Sequence, residues 1–217
     1  LRDSPGVWID GRLEEYDLSA WLRVRLSEGD GHGISDVLRG GTVAVDRFGI
    51  FGYDFPDVTL TLEGRGEAWH AAVDGPSARG LIVVPWQLPG SEPLTLDMER
   101  LVLGGHAAGG EGGDEESDPT QLPAMSIRVK NLEIQKRRFG SLEAHLSRTS
   151  EGLQLDRATL RGNSFEASGR GSWTLAGNGQ VTKVALTLDS TDLLDTLSAW
   201  GFTPTLTGKA GHATAEF

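Results

Sequence analysis

Residues able to do chemistry are sparse in this chain and stand far apart. The five histidines, His32, His70, His106, His145 and His212, are the candidates for a general base or an imidazole metal ligand, yet the nearest two are separated by more than thirty residues. Metal sites need convergent ligands at short characteristic spacings, and none is present. Zero cysteines rule out a thiolate nucleophile and disulfide staples, without fixing the compartment. There is no Gly-x-Ser-x-Gly elbow to carry a serine nucleophile. Gly64-Arg65-Gly66 and Gly169-Arg170-Gly171 lack the remainder of a phosphate or dinucleotide loop, and both lie inside strand-like alternation, where glycine marks bulges or bends. The adjacent carboxylates Glu14 and Glu15 have the pattern of ordinary surface acids. The carboxylates of the acidic stretch at 104–118 match no defined calcium loop. The expectation is a protein that is not an enzyme, with no metal and no cofactor.

Six tryptophans, at positions 8, 21, 69, 86, 173 and 200, suggest a carbohydrate platform. Packing explains them better. Trp21 and Trp200 sit in helical patterns with apolar neighbours, and Trp173 falls on the apolar phase of a strand. A formal net charge of −11 argues against nucleic acid and against a polybasic membrane patch, since both need a basic stripe. No apolar run is long enough to span a bilayer; Leu81 to Trp86 is among the longest. No signal peptide is visible, and both ends read as cut, so a segment of a longer protein is expected.

The elements around these residues are strands. From Phe165 to Leu175, Phe165, Ala167, Gly169, Gly171, Trp173 and Leu175 share one phase, while Glu166, Ser168, Arg170, Ser172 and Thr174 share the other. A period of two places the two sets on opposite faces of a β-strand. Similar runs occupy 6–14, 42–49, 57–63, 67–74, 78–85, 94–103, 126–135, 142–147, 152–160 and 183–188, and another begins at 205. A phase shift between Val129 and Leu132 implies a bulge. Thirty glycines, about twice ordinary usage, suit turns and bulges rather than helices. Two short helices are expected. One follows Asp17 and buries Leu18, Trp21, Leu22 and Leu26; the other, capped by Thr191 or Asp192, runs from Leu193 to Ala199 and stops at Gly201. The fold class is mostly β, with about a dozen strands and little helix to cover their apolar faces. Three parts are expected: a β segment at 1–103 with its short helix, a flexible acidic, Gly-rich loop at 104–123, and a second β segment at 124–217 with a helix at 191–200.

The order of motifs resembles a known family. Pro119-Thr120-Gln121-Leu122-Pro123-Ala124-Met125-Ser126-Ile127-Arg128-Val129 leads a strand, followed by Arg138-Phe139-Gly140-Ser141-Leu142, Gly152-Leu153-Gln154-Leu155 and Gly169-Arg170-Gly171-Ser172-Trp173. Next come Leu186-Thr187-Leu188-Asp189-Ser190-Thr191-Asp192-Leu193-Leu194 and Trp200-Gly201-Phe202. With the earlier Ala78-Arg79-Gly80-Leu81, this series is similar to the C-terminal part of the YhdP branch of AsmA-like proteins, over roughly residue 40 onward. The acidic insert at 104–118 departs from the pattern.

The resemblance implies a curled antiparallel sheet forming an open, repeating β-groove. It implies a long periplasmic protein of the Gram-negative envelope, anchored in the inner membrane by a helix outside this sequence. Phospholipids would be its partners, and phospholipid movement between inner and outer membranes its role, alongside a further periplasmic or outer-membrane protein partner. The groove-facing residues expected to meet acyl chains are Val58, Leu60, Leu62, Ile127, Val129, Leu142, Phe165, Trp173, Val184, Leu186 and Leu188. Acyl chains would cover the apolar face, at about 0.8 kcal/mol per buried methylene. A dozen strands would make a groove of about 58 Å. The alternative is a closed β-sandwich or scaffold module that binds a protein or glycan partner and serves outer-membrane assembly, in which the same residues form a dry core.

Overall fold

The computed structural model describes residues 6–28, 38–88, 90–104, 118–177, 179–203, 208 and 210–216. Among the described residues twelve strands and two α-helices follow one another: β1 (Val7–Asp17), α1 (Leu18–Glu28), β2 (Leu38–Ile50), β3 (Tyr53–Arg65), β4 (Ala68–Asp74), β5 (Ala78–Pro85) and β6 (Leu94–Leu103). A single 3₁₀ turn (Pro119–Gln121) precedes β7 (Met125–Ile134), β8 (Arg137–Arg148), β9 (Gly152–Arg161), β10 (Phe165–Ala176), β11 (Gly179–Ser190), α2 (Leu193–Trp200) and β12 (Gly211–Glu216). His32, His106 and the acidic stretch at 105–117 lie outside the described residues.

All twelve strands belong to one sheet, and each pairs with its neighbour in sequence. Nine of the eleven described pairings are antiparallel, as expected, but β1–β2 and β6–β7 are parallel. This corrects the wholly antiparallel expectation. Parallel neighbours need a long crossover, and the two long connections, residues 18–37 including α1 and residues 104–124, sit at these two places. One sheet in linear order also leaves no second sheet among the described strands, so a β-sandwich does not fit.

The sheet is strongly curled, as its interior contacts require. In a flat sheet β2 and β9 would lie about 34 Å apart, seven strand spacings. Here α1 packs on β2 and touches the 3₁₀ turn, which in turn packs on β9 and β10. Two slender elements bridge the interior, so the strands wrap around them. Leu94 and Val129 are fully buried within a one-layer sheet for the same reason. Pro119 and Pro123, on either side of the turn, are also fully buried. Asp118 caps the turn by accepting hydrogen bonds from the Thr120 amide (2.8 Å) and hydroxyl (2.6 Å), which hold its carboxyl below the usual range.

Both helices start where their residues dictate, and α2 also stops there. The Asp17 carboxylate accepts from the Ser19 amide (2.7 Å) and the Ala20 amide (3.2 Å), and Leu18 and Leu22 are buried. Asp192 accepts from the Asp195 amide at 3.0 Å, and Gly201 ends α2 in the left-handed region at φ 84°. Thr196 ties α2 to the sheet through the buried hydroxyls of Ser164 (3.0 Å) and Ser190 (2.8 Å). Pro56, which reads as a strand breaker, is accommodated inside β3 because Asp57 next to it adopts φ 54° and bends the strand.

Replacing Asp192 with Ala removes the α2 cap and is expected to lower stability by about 1 kcal/mol in urea denaturation. Gly80→Ala is expected to cost about 1–3 kcal/mol by the same measurement. An added Cβ there would meet the Asp97 carbonyl oxygen at 2.4 Å and Met98 Cα at 2.6 Å, backbone atoms that cannot swing aside.

Candidate functional site

Register, rather than any single residue, builds the site. Starting at Gly11 in β1, directly paired residues run through Val43, Leu60, Val73, Gly80 and Met98 to β6. The same row continues through Val129, Leu142, Leu160, Ala167 and Leu188 to Ala213 in β12. It crosses every strand without one polar side chain. A second row lies beside it, from Ile9 and Gly41 through Leu62, Ala71, Ile82, Leu96 and Ile127. It proceeds through Ala144, Ala158, Gly169 and Leu186 to Ala215. Because strand side chains alternate, both rows face the same side of the sheet.

The opposite face carries the charge. Its neighbouring row includes Thr42, Thr61, Asp97, Arg128, Glu143, Thr159, Ser168 and Thr187. Arg128 lies 3.6 Å from Asp97 and 4.0 Å from Glu143, spanning three strands. Further pairs, Arg12 with Asp46 (2.6 Å), Arg79 with Asp74 (2.6 Å) and Arg161 with Glu166 (2.9 Å), are exposed, as is Arg47 with Glu15. Such pairs contribute little to stability but keep one face wet.

All eleven expected groove residues fall on the apolar face. Leu60, Val129, Leu142 and Leu188 lie in the first row, and Leu62, Ile127 and Leu186 in the second. Val58 pairs with Val45, Val184 with Gly171, and Trp173 with Leu153. Phe165 stands at the α2 end, where Trp200 wedges edge-on between it (5.7 Å) and Phe139 (6.0 Å). The structure separates these eleven by burial. Val58, Leu60, Val129 and Phe165 are buried among protein atoms, whereas Leu186 remains 39% exposed and Val184, Leu188 and Trp173 are half-buried. At the other edge, Ile9 and Leu13 are 52% and 44% exposed. The apolar face is covered in the middle and open towards both edges.

Its covers are α1, the segment 118–124 and α2. Under α1 the covering is incomplete, and an apolar cavity of about 210 Å³ remains between the helix and β1–β5. Leu13, Tyr16, Leu18, Trp21, Val43, Phe48, Leu60, Leu62, Trp69, Ala71 and Ile82 are among its lining residues, and none of the lining side chains is charged. Tyr16 stacks on Phe48 at 6.3 Å, and burial pushes its phenol up to about 12. Leu13 and Ile82 carry no signal in the sequence beyond their apolar phase, and Trp69 stands there only as one of the six tryptophans. What made them neighbours was the strand register.

Among the described residues no three His, Asp or Glu side chains converge to hold a metal. His212 pairs with Asp189 at 2.6 Å on the surface, and His145 lies 3.5 Å from Ser126 Oγ. Trp173 donates to the Gln180 side chain at 2.8 Å and is half-buried. No described helix is long and apolar enough to cross a membrane.

No curated protein and no solved structure matches the chain. The model of the YhdP protein family matches residues 1–217, the whole length over which the apolar rows run. The chain therefore belongs to the YhdP family.

Proposed function

We propose that this chain is a segment of a periplasmic, bridge-like protein that holds phospholipid acyl chains on its apolar face and helps move phospholipids between the inner and outer membranes. One observation carries the reading: two unbroken apolar rows cross all twelve strands and stay exposed at both edges of the sheet. Family membership supports it. A face of this kind in water demands a cover, and acyl chains supply one at about 0.8 kcal/mol per methylene buried. The rows run across the strands, and on their open stretches near the two edges an acyl chain lies against Ile, Leu, Ala and Gly without meeting a charge. Head groups stay at the open side in water, and no bond is made or broken. The full-length protein is anchored in the inner membrane and meets another envelope protein at one end.

Leu186 and Leu188 sit on the open part of the face at β11, so the double variant Leu186→Asp/Leu188→Asp is expected to keep its circular dichroism spectrum and melting temperature. Two carboxylates on the acyl path should reduce co-purified phospholipid, counted by native mass spectrometry, at least about tenfold. Lipid retention equal to that of the unaltered chain would overturn the reading.

A further inference from the structure

We infer that the cavity beneath α1 is a single-chain acyl site, separate from the open face at β8–β11 and entered past Leu13. The inference rests on the lipid-bearing reading of the apolar face and adds to it where one chain is held and by what. Protein interiors are close-packed, and voids much larger than a water molecule are few. This one measures about 210 Å³, above the roughly 150 Å³ apolar void that accepts a benzene molecule. Its walls carry no charged side chain and are mostly hydrocarbon, so an ionised head group could not enter. An uncharged hydrocarbon chain is the chemistry that fits.

Two features give the site a direction. Leu13 lines the cavity and is also 44% exposed, so the wall on the β1 side reaches solvent. Both apolar rows pass through the floor, by Leu60 in one and Ala71 and Ile82 in the other, and the buried Leu96, Met98 and Val129 part it from the open face beyond. From the other side α1 closes it with Leu18 and Trp21. A chain inserted past Leu13 is gripped between helix and sheet, while its head group waits outside.

Trp21 and Trp69 both line the cavity, which makes the site readable by fluorescence. The chain is titrated with 9,10-dibromostearate as a single-chain probe and with a dibrominated phosphatidylcholine in detergent micelles, since bromine quenches indole on contact. Saturable quenching by the fatty acid is expected, and Trp21→Phe/Trp69→Phe should remove most of it. Ala71→Phe, which fills the floor, should weaken binding about tenfold or more, as should Leu13→Asp at the half-exposed entrance. Leu186→Asp/Leu188→Asp should leave it unchanged. Phosphatidylcholine quenching that follows the same variants identifies a phospholipid chain as the occupant; quenching by stearate alone identifies a free fatty acid. Undiminished quenching in either Ala71→Phe or Leu13→Asp, each checked for an unaltered melting temperature, overturns the proposal. So does a complete lack of tryptophan quenching, and phospholipid retention by mass spectrometry then judges the open face on its own.

Discussion

A one-layer sheet cannot hide both of its faces, and the whole architecture follows from how this chain treats the one that is oily. Among the described residues, twelve strands in sequence order and two short helices leave no second sheet to seat against it. Curling is the remedy. It turns the apolar side of β2–β7 towards that of β9 and β10 and lets α1 and one 3₁₀ turn fill the distance. Where the remedy is complete, Leu94 and Val129 are fully buried; towards the edges, Leu13 and Leu186 stay partly in water.

Register is what makes the face continuous. Bulges shift the pairing between Val129 and Leu132, between Gly169 and Gly171, and between Arg79 and Gly80. A slip of one residue would send every apolar side chain of a strand to the wet face. In each case the bulge absorbs an extra residue, and the apolar rows continue on the far side. β1, β2 and β3 show the same economy together. Leu13, Val45 and Val58 align, and three residues on so do Tyr16, Phe48 and Phe55, with Asp57 in a left-handed conformation at the switch. The tilted Phe48–Phe55 contact and the stacked Tyr16–Phe48 contact seal that end of the sheet.

Charge is distributed to match. Exposed ion pairs such as Arg128 with Asp97 and Glu143 run across strands on the outer face, while the two central rows hold none. The glycines on the rows, Gly80 and Gly169, let strands and side chains approach closely, and Leu186 Cδ2 fills the place a Cβ on Gly169 would take, at 2.6 Å.

Much of this was legible in the residues. The period of two in β10, the caps Asp17 and Asp192, the stop at Gly201 and the bulge before Leu132 are local consequences of side-chain size and hydrogen bonding, acting over a few residues. The apolar phase of each strand, including all eleven expected groove residues, is local in the same sense. What the residues alone could not decide was pairing across long connections. Parallel or antiparallel neighbours at β1–β2 and β6–β7 depend on where a helix or a long segment finds space, which is set by contacts among residues far apart in the chain. Burial depended on that outcome. Val58 and Leu186 have the same phase and similar character, yet one is 1% exposed and the other 39%, because α1 and the curl cover the first and nothing in the described chain covers the second. Alternation determines which side of a strand is oily; only the packed sheet decides how much of that side is left for another molecule.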